Sequence, residues 1–230
     1  EIFDEKKKLL VIFLGVLGDF DSFEYCQNIF KILESINKSN INLIIVGIGN
    51  EKSKECFSSY TGIPKKYIFN VENNLLHQKL NLYSGLNYKI GSINNMLLMC
   101  AGINSPGTIK EVIRGYTGDK TSSSIYKNNQ KIVIKNLISL NSNIFNYLGS
   151  DDFLRPFELA TLRLANLIEV LNKWNLYIPN VKYITQRGAS YIFDVDGKLI
   201  YSFISKNLLG YSYNMNNPLS FLKNQINIDE

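Results

Sequence analysis

The stretch "LLVIFLGVLGDFDSFEYCQ", Leu9 to Gln27, decides the fold. Leu9 to Leu14 is continuously apolar, as expected of a strand buried on both faces. After a short loop, Tyr25, Ile29, Ile32, Leu33 and Ile36 fall at helical spacing, which predicts a helix over Ser22 to Lys38. A strand that runs into a helix start is a common place for chemistry, because the free N–H groups and the helix dipole favour negative charge there. "DFDS", Asp19 to Ser22, occupies that place. Asp21 and Ser22 are also good helix-capping residue types, and capping alone would account for them.

Outward from this stretch the pattern repeats. "INLIIVGIG", Ile41 to Gly49, reads as a second buried strand. Glu51 to Tyr60 reads as a helix closed by Gly62 and Pro64, and "KYIFNV" as a short third strand. A short helix fits Asn73 to Tyr83, where His77, the one histidine, lacks a Cys or His partner for metal or triad work. Near the far end, "SYIFDVDGKLIYSF" alternates in period two about Asp196-Gly197, the mark of a hairpin. Between these ends, "SPGTIKEVIRGYTGD" has a helix start at Ser105-Pro106 and a stop at Gly115. "RPFELATLRLANLIEVLNKW" is the longest helix signal, and Thr121 to Asn146 is polar and weakly patterned, a loop or small excursion. The resulting expectation is an α/β chain with a sheet flanked by helices and a large, mostly helical insertion before the C-terminal β-hairpin. Residues 1–88 and 181–230 would form the sheet domain, and 89–180 the insertion packed on it.

Composition removes several function classes. The 230 residues carry a formal charge of +5 from 25 basic and 20 acidic residues, spread along the chain without a basic stripe, which argues against nucleic-acid binding. Hydrophobic residues make up 45%, enough for a substantial core. No apolar run approaches the roughly 20 residues of a membrane span. Cys26, Cys56 and Cys100 lie far apart with no C-x-x-C pair, which points away from a disulfide framework or zinc site and toward a reducing compartment. No metal or other cofactor is implied. The chain opens without Met and almost directly in a strand, as if a targeting segment had been removed upstream.

The order β-α-β-α-β, insertion, hairpin and final helix resembles the thioredoxin fold in its peroxiredoxin-like form. The segment "RGASYIFDVDGKLI" is similar to the R-x-x-F-I-I-D-x-x-G segment of peroxiredoxins, whose arginine assists the reactive cysteine, and Arg187 matches that arginine. "LGDFDSFEY", "YTGIP", "LLHQKLNLY", "CAGINSPGT", "RGYTGD", "RPFELATLRLANLIEVL" and "TQRGASYIFD" together resemble the AhpC/TSA-type, peroxiredoxin-like proteins of cyanobacteria and plastids. The likeness runs from about Leu9 to Leu222. It implies a plastid-type organelle, apicoplast or chloroplast stroma, as the compartment, and a role in redox-linked organelle maintenance.

The departure from that family lies in "DFDS". Aligned on Glu24-Tyr25, the chain has Asp19 and Ser22 where redox-active relatives carry a C-x-x-C pair or a lone peroxidatic cysteine. A helix N-terminus makes a thiol into a nucleophile by lowering its pKa, whereas an aspartate or serine there gains no redox chemistry. The candidate site residues are therefore Asp19, Asp21, Ser22, Cys26 and Arg187, with Arg187 expected to pair with Asp19 or Asp21. The expected function is binding of a protein partner or small ligand at the former active-site face, without conventional peroxidase turnover. One alternative is residual thiol oxidoreductase or peroxidase activity through Cys26, one turn beyond Ser22. A more distant one reads Asp19-x-Asp21 as the first motif of a Mg-dependent, haloacid-dehalogenase-type phosphotransferase, with Asp151-Asp152 as the acidic metal pair. Cys56 and Cys100 read as structural, and the residues do not name an oligomeric state.

Overall fold

A computed structural model describes residues 6–135, 137–223 and 225–226. Strand β1 (Lys8–Val16) leads into α1 (Phe20–Lys31) and α2 (Leu33–Lys38), followed by β2 (Ile41–Ile48), α3 (Glu51–Thr61) and β3 (Ile68–Val71). Next come α4 (Leu75–Lys79), α5 (Ser92–Cys100) and α6 (Thr108–Thr117), then a small hairpin of β4 (Lys131–Ile134) and β5 (Ile138–Asn141). Helices α7 (Glu158–Asn172) and α8 (Trp174–Tyr177) precede the hairpin β6 (Ala189–Phe193) and β7 (Leu199–Ile204).

The main sheet has the order β3-β2-β1-β6-β7. β1, β2 and β3 run parallel, while β6 lies antiparallel to β1 and β7 antiparallel to β6. Strand patterns from the two chain ends thus share one thioredoxin-like sheet flanked by helices, as the sequence implies. Its centre is β1, which pairs with β2 on one side and β6 on the other, so the residues that follow Val16 emerge in the middle of the molecule. Leu10, Ile12, Leu14 and Val16 are fully buried, but Leu9, Val11 and Phe13 are only half-buried. The strand is therefore not sealed equally on both faces. The second face has a thinner cover, where Phe13 meets the rings of His77 and Tyr191 edge-on.

The core under α1 is aromatic. The buried Phe23 ring lies 5.2 Å from Phe57 of α3 and 5.2 Å from Tyr177 of α8, so three distant segments close on one side chain. Such ring pairs add to the burial of large apolar area. α7 is fixed against α1 by a reciprocal amide pair, Gln27 with Asn166, whose N···O distances are 2.9 and 3.1 Å.

Several local expectations are corrected. The helix over Ser22 to Lys38 starts earlier, at Phe20, and is two helices. Ile32 takes φ −113° and ψ 11°, and its N–H reaches back three residues to the carbonyl of Ile29. That tightened step keeps Leu33 and Ile36 on the core side. α3 ends at Gly62 with φ 81°, a left-handed position suited to glycine, and Asn50 and Ser53 form a capping box at its start. Gly115 does not stop α6, which continues to Thr117 and ends at Gly118 with φ 75°. The helix expected over Asn73 to Tyr83 is only the single turn of α4. Thr121 to Asn146 is not a plain loop: it contains the β4–β5 hairpin, whose Ile132 and Ile134 pack with Tyr126 and Phe145. The expected final helix is, among the described residues, one 3-10 turn at Ser220–Leu222.

Candidate functional site

The loop between β1 and α1 meets the segment before β6 at very short range. A Cβ added to Gly188 would stand 2.0 Å from the Phe13 carbonyl oxygen, and one added to Gly15 would stand 2.3 Å from the Gln186 carbonyl oxygen. Only glycine permits these approaches. They bring Arg187 directly over the start of α1.

Arg187 is fully buried, and each nitrogen of its guanidinium has an acceptor. Nη1 donates to Asp19 Oδ2 at 2.7 Å and to Asp21 Oδ2 at 3.1 Å. Nε donates to the Thr185 carbonyl at 3.0 Å and Nη2 to the Ile184 carbonyl at 3.1 Å. The other Asp21 oxygen, Oδ1, accepts the Leu209 N–H at 2.6 Å, which ties the loop after β7 to α1. A buried charge is tolerable when it is paired and hydrogen-bonded, and Arg187 meets that condition with one carboxylate to spare.

The expectation that Asp21 and Ser22 serve as the cap is corrected by this geometry. Asp19 stands at the N-cap position, but its side chain makes no capping bond, since its carboxylate is turned to Arg187. The Ser22 hydroxyl donates backward to the Val16 carbonyl at 3.2 Å. Burial raises the pKa of both carboxyls. Asp21 is raised to about 7, first by burial and then by the neighbouring Asp19 charge, with Arg187 opposing both. Two carboxylates on one guanidinium nitrogen compete for a single positive charge, so the pair titrates as a unit.

Cys26 does not join this cluster. It is completely buried among the aliphatic and aromatic side chains of the main core, and that burial pushes its thiol far above the ordinary cysteine range. A reactive cysteine needs the opposite, an accessible and stabilised thiolate. Cys100, at the end of α5, is exposed and within electrostatic reach of the site. Burial of its sulfur, followed by the Asp19 and Asp21 charges, raises its pKa as well. Free space beside the cluster amounts to about 20 Å³, bounded by Asp21, Ser22, Tyr25 and Ser190 among others, which is room for one water.

Other residues complete the site without a local sequence signal. Leu209 takes φ 60° to present its N–H to Asp21. Gln186 donates from Nε2 to the Tyr83 carbonyl at 2.9 Å and accepts from Asn74 at 3.1 Å. No cis peptide bond occurs among the described residues, so the Gln186-Arg187 backbone is trans. His77 is buried, donates from Nε2 to the Leu14 carbonyl at 2.7 Å, and has its pKa lowered by burial. One turn past Asp21, the buried Glu24 receives Arg163 of α7 at 2.7 and 3.3 Å and the Tyr211 hydroxyl at 3.0 Å. Among the described residues no group of three or more His, Cys, Asp or Glu side chains is arranged to hold a metal ion. The D-x-D phosphotransferase reading gains nothing here. The carboxylate that would attack phosphorus is held by Arg187, while Asp151 and Asp152 bond within the insertion to Asn128 and Ser150.

A thioredoxin-like sheet with an arginine delivered from the β6 side to the start of α1 defines the class. The family model for AhpC/TSA antioxidant enzymes matches residues 29–207, and the chain belongs to that family. The match includes Arg187 and begins past Asp19, Asp21, Ser22 and Cys26. No curated protein and no solved structure matches the chain. Among the described residues no helix is long and apolar enough to cross a membrane.

Proposed function

We propose that this chain is a member of the AhpC/TSA family without peroxidase turnover, and that it works by binding a protein partner at the former active-site face. The observation that carries this reading is the closed Asp19–Arg187–Asp21 cluster, which stands where the resemblance would put a redox thiol. Peroxide reduction transfers an oxygen atom to a thiolate sulfur, and neither aspartate nor serine undergoes that step. Cys26 sits one turn deeper with a thiol kept protonated by burial. The remaining space of about 20 Å³ favours a partner surface over a small ligand held inside the site.

Next to the cluster, Phe20, Val112, Tyr116, Leu164 and Leu209 line a shallow apolar groove of about 220 Å³. Residues 89–180 supply most of that groove and act, in this reading, as an insertion on a sheet domain of residues 1–88 and 181–230. The compartment is a plastid-type organelle, where the protein serves redox-linked maintenance through its partner. The test is capture from plastid stroma with wild type and with Tyr116→Glu and Leu164→Glu, both substitutions at exposed positions. A protein retained by the wild type and lost in both folded variants supports the reading. Equal retention by all three, or none by the wild type, refutes it.

A further inference from the structure

A second cavity lies further along α1 from the Arg187 cluster, beyond Tyr211. It is an open cleft of about 390 Å³ between α1, the segment at Ser122–Ile125 before the small hairpin, α7 and the C-terminal stretch from Tyr211 to Ile226. That is within the roughly 300–1,000 Å³ of small-molecule sites. Its floor is aliphatic, built from Ile32, Leu159, Leu162, Met215 and Leu219. Ile32, Met215 and Leu219 pack on the main core and Leu162 on the hairpin cluster, so the cleft is the seam that the two clusters leave unfilled.

Charge around the cleft is arranged unevenly. Glu24, in the wall, is already matched by Arg163 and the Tyr211 hydroxyl. Arg114 is matched by Glu111 at 2.7 Å. Lys31 and Lys223 also line the cleft, and among the described residues neither has a carboxylate partner within salt-bridge distance; the one hydrogen bond Lys31 makes is a long one, 3.4 Å, to Asn28. Desolvation lowers the pKa of Lys31, with the more distant charges of Glu24 and Glu158 opposing it only in part, so an anion in direct contact would further relieve that ammonium. Ser123 and Ser124 add hydroxyls at the same rim.

We infer that this cleft binds an amphipathic carboxylate, a single-chain fatty acid whose carboxylate meets Lys31 and Lys223 while its alkyl chain covers the aliphatic floor. The paired charges in the wall leave the two lysines as the available electrostatic contacts, and a long apolar floor matches an alkyl chain better than a compact polar metabolite. The site is separate from the Arg187 cluster, with Tyr211 as the shared wall.

The experiment is titration calorimetry of the full chain with dodecanoate, and with dodecylammonium as a probe of equal length and opposite charge. Wild type is expected to bind dodecanoate at a single saturable site and to bind dodecylammonium at least tenfold more weakly. The double substitution Lys31→Glu and Lys223→Glu should weaken dodecanoate about tenfold or more. Leu162→Trp, which places an indole in the cleft, should abolish binding, and circular dichroism checks that each variant is folded. Should Leu162→Trp fail to fold, the lysine pair still decides, because Lys31 is a surface residue. Absence of saturable binding in wild type, equal binding of the two probes, or unchanged affinity in the folded lysine variant each overturns the inference.

Discussion

Two stretches of one helix, less than four turns long, are finished in opposite ways. At its start, Asp19, Asp21 and Ser22 face the end of β1 and the segment before β6, both carboxyls are held by Arg187, and about 20 Å³ of space is left. Further along, Asn28 and Lys31 border an open cleft of about 390 Å³. The first stretch is closed by an ion cluster of Asp19, Asp21 and Arg187. The second retains room for a ligand. The lesson is that carboxylates buried at a helix start need a cation beside them and become a structural lock once they have it, because burial punishes any charge left alone.

The largest effect expected from breaking this contrast is at Arg187. Arg187→Leu leaves Asp19 and Asp21 buried without their cation and should cost about 3–5 kcal/mol of stability in urea unfolding. Adding Asp19→Asn and Asp21→Asn to that variant should recover part of the loss, since the uncompensated charge is then gone. An Arg187→Leu protein as stable as wild type would mean the cluster does not hold the site closed.

A second effect is pH dependence. The folded-state pKa of Asp21 is raised from 3.8 to about 7, so the native state binds its proton more tightly than the unfolded chain does. The contribution is fully present below pH 4 and is lost as pH rises through about 7, so this carboxyl makes stability fall across that window. Asp21→Asn should flatten the slope of unfolding free energy against pH over the same range. A slope unchanged in that variant would assign the proton elsewhere.

The smallest effect belongs to the open side. Asn28→Ala removes an amide that donates to the Tyr211 hydroxyl at 2.8 Å, and should cost about 1 kcal/mol. Lys31→Ala, whose ammonium has no ion-pair partner among the described residues, should change stability by no more than about 0.5 kcal/mol. If Lys31→Ala were as damaging as Arg187→Leu, the two sides would not differ in the way the geometry says.

What the sequence discloses follows the same division. β1, β2 and the β6–β7 hairpin are legible because strands of a central sheet must be apolar or alternating over several residues. The approach of Arg187 to Asp19 and Asp21 is legible through family resemblance, on the strength of one arginine in "TQRGASYIFD". The direction of the Asp19 side chain is not, because aspartate at a helix start suits a cap and a salt bridge equally well, and the choice depends on Gly15 and Gly188 letting the chains meet. The β4–β5 hairpin escapes notice because its strands are only four residues each, too short for a period to stand out from the polar residues on either side. The cleft is invisible in sequence, being assembled from residues near 30, 120, 160 and 220 that no local pattern links.

Peroxide consumption in the presence of a thiol reductant tests the central claim most directly. It is measured for wild type, Cys26→Ser and Cys100→Ser under one set of conditions. With Asp19 held by Arg187, Ser22 bonded to the Val16 carbonyl and Cys26 sealed in the core, the expected result is no turnover above the reductant alone in any of the three. Robust turnover in wild type that disappears in Cys26→Ser would contradict the account and make that buried cysteine a relocated peroxidatic residue.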